Sequence, residues 1–446
     1  MHKLVRLAAT FWGVVVFMPV GVNYLAFFAL LACMSIQGQR AERWRRVRSH
    51  LLFWPLAAYV AWTLVVLVFQ PTFYAETPSN LWHGLRIVLT LALALALTED
   101  EALWAVRGFM VATLFSLLVI VGYHLFGLPD WPLWRHLVVY RGNKAISNVL
   151  LMSLLAGSAL VLVLARGGRA RLLAILAALI LFDVIIYALP NRTALLVVLL
   201  AFPLAAVHQW RHDKRKLAGL LAIALVASAV VVTGVPAIWT RLAQGADEVQ
   251  LATEGDVSRA SWNLRVQMAR HTARMIVERP WMGWGIGGWN DQWRRRAPPL
   301  IADLNMPHND FLWMGAQAGV PGALSWLAIM LAACWAGWRR QDLTGRFAFV
   351  AAMTLLLSAL VNSATRDAVI GLSLLWVVGL YLRLGAGGDI SLGSLFRPSR
   401  TSARASATET SDLPPPSTST LSTACGSYSA RPAPAAICPP PGRPAA

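Results

Sequence analysis

Long apolar runs separated by short charged connections dominate the chain. Spanning a hydrocarbon core takes about 20 apolar helical residues, somewhat fewer at the low end. Runs near 4–18, 22–36, 51–69, 81–97, 102–126 and 144–165 meet that demand, and a second set follows near 170–189, 192–208, 216–235, 309–338, 346–363 and 367–384. The pattern predicts an all-α, polytopic membrane protein of about 12 transmembrane helices, with the first and eighth short. Composition agrees: the chain is 57% hydrophobic and 13% charged, whereas a soluble globular chain carries about 25% charged residues.

The formal charge of +18 would suit nucleic acid, but the Lys and Arg residues sit mainly between apolar runs, where they set membrane orientation. No nucleic-acid partner is expected. Arg40, Arg43, Arg45, Arg46 and Arg48 fall in one connection, Arg166, Arg169 and Arg171 in a second, Arg211, Lys214, Arg215 and Lys216 in a third, and Arg339, Arg340 and Arg346 in a fourth. In a twelve-helix chain these four connections share one side with both termini, which are therefore expected in the cytoplasm. The remaining connections face outward.

The connection 236–307 is by far the longest, and long segments are exempt from the positive-inside rule. Within it, 258–278 reads as an amphipathic helix, with Trp262, Val266, Ala269, Ala273 and Ile276 recurring at helical spacing and Arg270 and Arg274 on the polar side. Pro280 ends that helix, and the glycine-rich stretch 283–288 follows as irregular backbone. The expected organisation is helices one to nine over 1–235, an outer loop over 236–307, helices ten to twelve over 308–385, and a tail over 386–446. The tail is rich in Ser, Pro, Thr and Ala, too poor in large apolar residues to fold, and is expected to be disordered and cytoplasmic. No two-halves repeat is visible.

Lys3 and Arg6 precede the first apolar run without a small-x-small site leading into polar sequence, so an uncleaved first helix is expected. Leu30-Leu31-Ala32-Cys33 has the form of a lipoprotein cleavage box, a string that Leu/Ala-rich helices also make by chance. The four cysteines, Cys33, Cys334, Cys425 and Cys438, form no CxxC pair and have no His partner at ligand spacing. Neither a disulfide framework nor a metal site is expected.

Basic residues on the outer side are the informative ones. Arg135, Arg141 and Lys144 cluster before the sixth helix, Arg192 opens the eighth, and Arg366 opens the twelfth. Arg presents a planar fork of donors that grips phosphate bidentately, so several converging on one cavity would hold a diphosphate. The alternative is snorkelling to lipid phosphates. Pro190-Asn191-Arg192-Thr193 interrupts two apolar runs so tightly that Arg192 must lie at the membrane boundary, a functional-site signal set against simple helix-end snorkelling. His308 follows Pro307 at the start of the tenth helix; an imidazole there can accept a proton near neutral pH or serve structure alone. Gly283-Trp284-Gly285-Ile286-Gly287-Gly288 follows a helix and lacks the Lys-Ser/Thr ending of a nucleotide loop. Its expected use is a tight backbone path able to present amides to an anion.

Two strings carry a resemblance. Arg279-Pro280-Trp281-Met282-Gly283-Trp284-Gly285-Ile286-Gly287-Gly288-Trp289, and His308-Asn309-Asp310-Phe311-Leu312 followed by Gly319-Val320-Pro321-Gly322, resemble elements of the O-antigen ligase and polymerase superfamily of membrane glycosyltransferases. Asn191-Arg192-Thr193 and Arg265 in the loop helix add to the likeness. Asn191 stands where the family has a hydroxyl residue, and Gln317 where many relatives have Glu, a candidate acidic helper for His308. The resemblance implies a GT-C-like fold in a bacterial inner membrane with its active site facing the periplasm. It also implies transfer of a glycan from undecaprenyl diphosphate to an acceptor without nucleotide sugar, cofactor or metal. His308 would then be the base, and Arg192, Arg265, Arg141, Lys144 and Arg366 would hold the diphosphate. The single modest loop favours a ligase acting on a lipid A-core acceptor, then a polymerase, over the superfamily's protein-modifying branch. A polytopic transporter or flippase is the reading from another class. It would gather its charges near the midplane, whereas a ligase would gather them at the outer boundary beneath the long loop.

Overall fold

Each of the twelve apolar runs is occupied by a helix in the computed structural model, which describes residues 2–138, 143–189, 192–234, 236–254 and 261–384. α1 (His2–Val15) and α2 (Val20–Ile36) lead into α3 (Arg40–Ser49), α4 (Phe53–Phe69), α5 (Thr77–Ala96) and α6 (Glu99–Phe126). A single turn, α7 (Arg135–Val138), precedes α8 (Asn143–Ala165), α9 (Gly168–Asp183) with its π-helical extension Val184–Ala188, α10 (Arg192–Trp210) and α11 (Lys214–Gly234). The long connection carries α12 (Pro236–Glu254), α13 (Ser261–Glu278) and α14 (Gly288–Arg296), and α15 (Asp310–Trp338), α16 (Leu343–Val361) and α17 (Ala368–Arg383) complete the order. The described residues contain no strand.

Among the described residues, six helices are long and apolar enough to cross a membrane, or seven if α2 and α3, bent by 117° at their junction, form one broken span. α4 and α17 are shorter apolar helices. A helix rises about 1.5 Å per residue, so sixteen or seventeen residues fall short of a hydrocarbon core of about 30 Å. α17 has no lipid to meet in any case, since every residue from Ile370 to Leu382 is buried.

The distribution of polarity is that of a membrane protein. Apolar side chains face outward along α6 (Val111, Leu114, Leu118, Leu125) and α9 (Leu172, Leu173, Leu176, Leu179), while Arg86, Asn80, Thr90, Asp310 and Thr354 are buried. Contiguous exposed apolar surface on this scale belongs in lipid. With no water to drive the helices together, close packing does the work. α1 and α6 approach through Gly13 and Gly108, where an added Cβ would lie 2.1 Å from the Ala105 carbonyl oxygen and 2.5 Å from that of Thr10. Trp12 of α1 stacks on Trp376 of α17 with ring centroids 4.1 Å apart.

Arginines gather at one end of the bundle on helix C-terminal carbonyls, which carry partial negative charge. Arg46 donates to Ala96 O and Arg383 to Leu97 O, Arg211 donates to Trp338 O, and the charges of Arg383 and Arg340 both act on His50. The 37–50 segment, read from sequence only as a connection, folds as α3. Its Arg43 is buried in a bidentate pair with Glu101, at 2.8 and 2.9 Å, and Glu101 also closes the capping box of α6 with Thr98. The folding of a charge-rich segment follows from that tertiary partner, not from apolar periodicity.

Candidate functional site

The other end of the bundle is organised by a break in α15. Ala318 (φ −125°, ψ 15°) and Gly319 (φ 69°, ψ −175°) leave the helical conformation, and the carbonyls so released accept from the glycine-rich stretch: Trp284 N donates to Ala316 O at 2.8 Å and Gly285 N to Gln317 O at 3.0 Å. In return Val320 N donates to Pro280 O at 2.7 Å. Only glycine fits at 319, where φ is positive and a Cβ would meet Trp281 O at 2.1 Å. Ile286 N donates to Gln70 Oε1 and Gly287 N to Gln317 Oε1, each at 2.7 Å. The expectation that this stretch offers amides to an anion is thereby corrected, because its amides are consumed by α15, Gln70 and Gln317. Gln317 is buried with its oxygen committed to Gly287, so it is a clamp and not a helper for His308.

His308 sits directly ahead of α15 and is the only non-glycine residue with positive φ (51°) among the described residues. Asn309 caps the helix, its Oδ1 accepting from Leu312 N at 2.9 Å while its Nδ2 donates to Leu360 O at 2.8 Å. The bound cap and the left-handed backbone turn the half-buried ring toward Asn362, whose Oδ1 lies 3.2 Å from His308 Nδ1. Burial lowers the pKa of His308, with the Asn362 bond opposing and the charge of Arg265 adding to the fall. The ring is therefore neutral and able to accept a proton at physiological pH.

The turn after α16 is held from beneath. Asp310 is fully buried, and its Oδ2 accepts from Thr365 N at 2.9 Å and from Thr365 Oγ1 at 2.5 Å. Arg86, also fully buried, donates through Nη2 to the three successive carbonyls of Thr365, Arg366 and Asp367 at 3.2, 2.7 and 3.2 Å. Its Nη1 donates to the Tyr24 hydroxyl at 2.9 Å. The guanidinium of Arg366 rests 5.6 Å from the Trp313 ring centre. Burial draws its pKa below the ordinary value while Asp310 pulls it back up.

α13 covers this end of α15, Ile276 seating against Gly315, where a Cβ would come within 2.7 Å of Ile276 Cδ1. The helix starts at Ser261, and 258–260 lie outside the described residues. Its buried face is not the expected apolar stripe: Asn263, Gln267, Met268, Thr272 and Met275 are buried, whereas Trp262 and Ala273 are exposed. The rotation follows from the neighbouring loop helices, which satisfy polar groups that sequence alone assigns to water. Gln267 Nε2 donates to Ala252 O of α12 at 3.0 Å, and Trp289 Nε1 of α14 donates to Thr272 Oγ1 at 3.0 Å. Arg265 is half-buried, 5.9 Å from the Trp262 ring centre.

Of the residues expected from sequence, the fold brings His308, Arg265 and Arg366 to one end of the bundle. Arg135 pairs instead with Asp130 at 3.2 Å. Arg141 lies outside the described residues, as do the side chains of Lys144 in α8 and Arg192 at the start of α10, and the tail 386–446. Asn362, Asp310 and Arg86 escaped the sequence reading. Arg86 carried a signal, a cation inside the run 81–97 that must find a partner or a function. Asp310 stood within a motif already singled out. Asn362 carried none, since a polar residue at the end of an apolar run is ordinary.

The all-helical architecture of the described residues and their outward-facing apolar surface are those of a polytopic membrane protein, with a cluster of buried polar side chains at one end of the bundle. Residues 151–327 match the family model described as O-Antigen ligase; the match covers less than half of the chain and supports the O-antigen ligase and polymerase superfamily. It contains Arg192, Arg265 and His308 and ends before Asn362 and Arg366. No curated protein matches the chain.

Proposed function

We propose that this protein is an O-antigen ligase, transferring a glycan from undecaprenyl diphosphate to a sugar of a lipid A-core acceptor at the periplasmic face of the inner membrane. The observation that carries the reading is a half-buried imidazole bonded through Nδ1 to Asn362, with Arg265 and Arg366 at the same end of the bundle beneath the loop helices. Charges gathered at a membrane boundary suit a lipid-linked donor; a transporter would concentrate them at mid-depth.

In this mechanism the acceptor hydroxyl attacks the anomeric carbon of the donor sugar while its proton passes to His308 Nε2. The bond between that carbon and the phosphate oxygen breaks in the same displacement, inverting the centre. Undecaprenyl diphosphate leaves as an anion, with its developing charge held by Arg265, Arg366 and Arg192, and with Arg141 and Lys144 as further cations. A base of this kind contributes about 10²- to 10⁴-fold. Purified His308→Ala is expected to lose transfer by that factor while still binding donor. Near-normal transfer would remove the base role, and lost donor binding would make His308 a diphosphate ligand. Lipopolysaccharide from a deletion strain separates the superfamily's activities: core without polymer fits a ligase, and core bearing a single repeat would make the protein a polymerase.

A further inference from the structure

An imidazole can act as a base only through the nitrogen that lacks a proton, and the hydrogen bonds around His308 decide which one that is. Asn362 ends α16 in extended backbone (φ −152°, ψ 160°), and its own N–H still closes the helix on Ser358 O at 2.9 Å. The side chain is thereby free to turn across to His308. Its Oδ1 accepts the backbone N–H of Ser363 at 3.0 Å. That N–H can only donate, so the side-chain atom facing it is the amide oxygen and not the nitrogen. The same oxygen faces His308 Nδ1 at 3.2 Å. A nitrogen held against an acceptor must carry the proton, and in a neutral ring the other nitrogen then keeps its lone pair.

We propose that Asn362 is a positioning residue that holds His308 as its Nδ1–H tautomer and so makes Nε2 the atom that takes the acceptor's proton. The proposal rests on the reading of His308 as base. Three features favour it over incidental contact. Asn362 is 3% exposed, so its amide cannot exchange freely with water. The left-handed backbone of His308 is a conformation that persists only where surroundings impose it. And an amide orients the ring without charging it: a carboxylate in its place would favour the imidazolium and remove the base from action at neutral pH. The charged groups around the ring are consistent with that design. Arg265 faces it from α13, while Asp310 in the first turn of α15 and Arg366 in the turn before α17 act on each other.

Two measurements test the assignment. The first is ¹⁵N NMR of histidine-labelled protein in detergent, with the His308 signals identified by their loss in His308→Ala. A protonated Nδ1 and an unprotonated Nε2 are expected, with a shift toward the Nε2–H tautomer in Asn362→Ala. A native His308 already in the Nε2–H form, or an unchanged tautomer in Asn362→Ala, would overturn the proposal. The second is the pH profile of transfer. Asn362→Ala is expected to lower kcat by about 10- to 100-fold, the scale typical of partners that orient a histidine, with little change in KM for the donor. Asn362→Asp retains an acceptor and should restore much of that rate at high pH, while moving the acid limb upward by about one pH unit or more. A purely structural asparagine would leave the limb of Asn362→Asp where the native protein has it, and that outcome would sink the positioning role. If His308→Ala transferred normally, the base reading itself would fail, whatever the tautomer proved to be.

Discussion

The strongest constraints on chemistry sit on single side chains whose surroundings decide their charge. His308 is held below its ordinary pKa, chiefly by burial. Protonation of the folded protein at this site therefore needs a lower pH than free histidine, and the base stays competent throughout the neutral range. The kcat/KM of transfer is accordingly expected to be flat at neutral pH and to fall only below about pH 6.5; an acid limb above that value would contradict the assignment. Arg265 and Arg192 call for a different test, because a forked guanidinium matches a diphosphate in a way that an ammonium does not. Arg265→Lys and Arg192→Lys are each expected to lower transfer roughly 10- to 100-fold, the equivalent of one lost charge-assisted hydrogen bond of about 1.5–3 kcal/mol. Normal activity in both variants at equal membrane abundance would dismiss the clamp.

At the scale of elements, α15 is two helices joined at Ala318–Gly319, and the join exists to be filled. Its released carbonyls take the amides of Trp284 and Gly285, and Val320 N closes the arrangement on Pro280 O. This docking fixes where α13 ends relative to α15, and so holds the Arg265 charge that acts on His308. Gly319→Ala would force both a left-handed φ and a Cβ contact of 2.1 Å on Trp281 O, whereas Gly38→Ala meets the φ penalty (φ 77°) with nothing within 4 Å. Gly38→Ala is expected to cost about 1 kcal/mol, and Gly319→Ala substantially more. Thermal unfolding of the two purified variants in detergent compares them directly; equal midpoints would mean that the loop is not held by the break.

For the whole molecule the testable quantity is orientation. Arg46 and Arg211 of the arginine-rich connections, with Arg383 at the end of α17, cap helix C-termini at one end, and the His308 cluster lies at the other. By the positive-inside rule the first end is expected in the cytoplasm, and twelve spans would put both termini there. Alkaline phosphatase fused at position 250 is expected to be active and at position 212 inactive; the reverse pattern would place the cluster in the cytoplasm and contradict the proposed transfer at the outer face.

Sequence alone determined the apolar helices, though not the charged α3, because a continuous apolar run in a chain this poor in charge has no other way to satisfy its backbone in lipid. It also singled out His308 and Arg366 as residue types that their surroundings do not explain, while Arg265 and the pairing of the glycine motifs came from the family resemblance. What it could not contain was pairing across distance. Asn362 is 54 residues from His308, and Arg86 is 279 to 281 residues from the carbonyls it holds. The amides of 284–287 read as an open anion cradle until the break in α15 closed it. The buried face of α13 likewise turned away from its apolar stripe, since α12 and α14 satisfied polar groups that the stripe rule assigns to solvent. Periodicity records which side of a helix is apolar. Which partner's hydrogen bonds make a polar side buried is decided only when the helices meet.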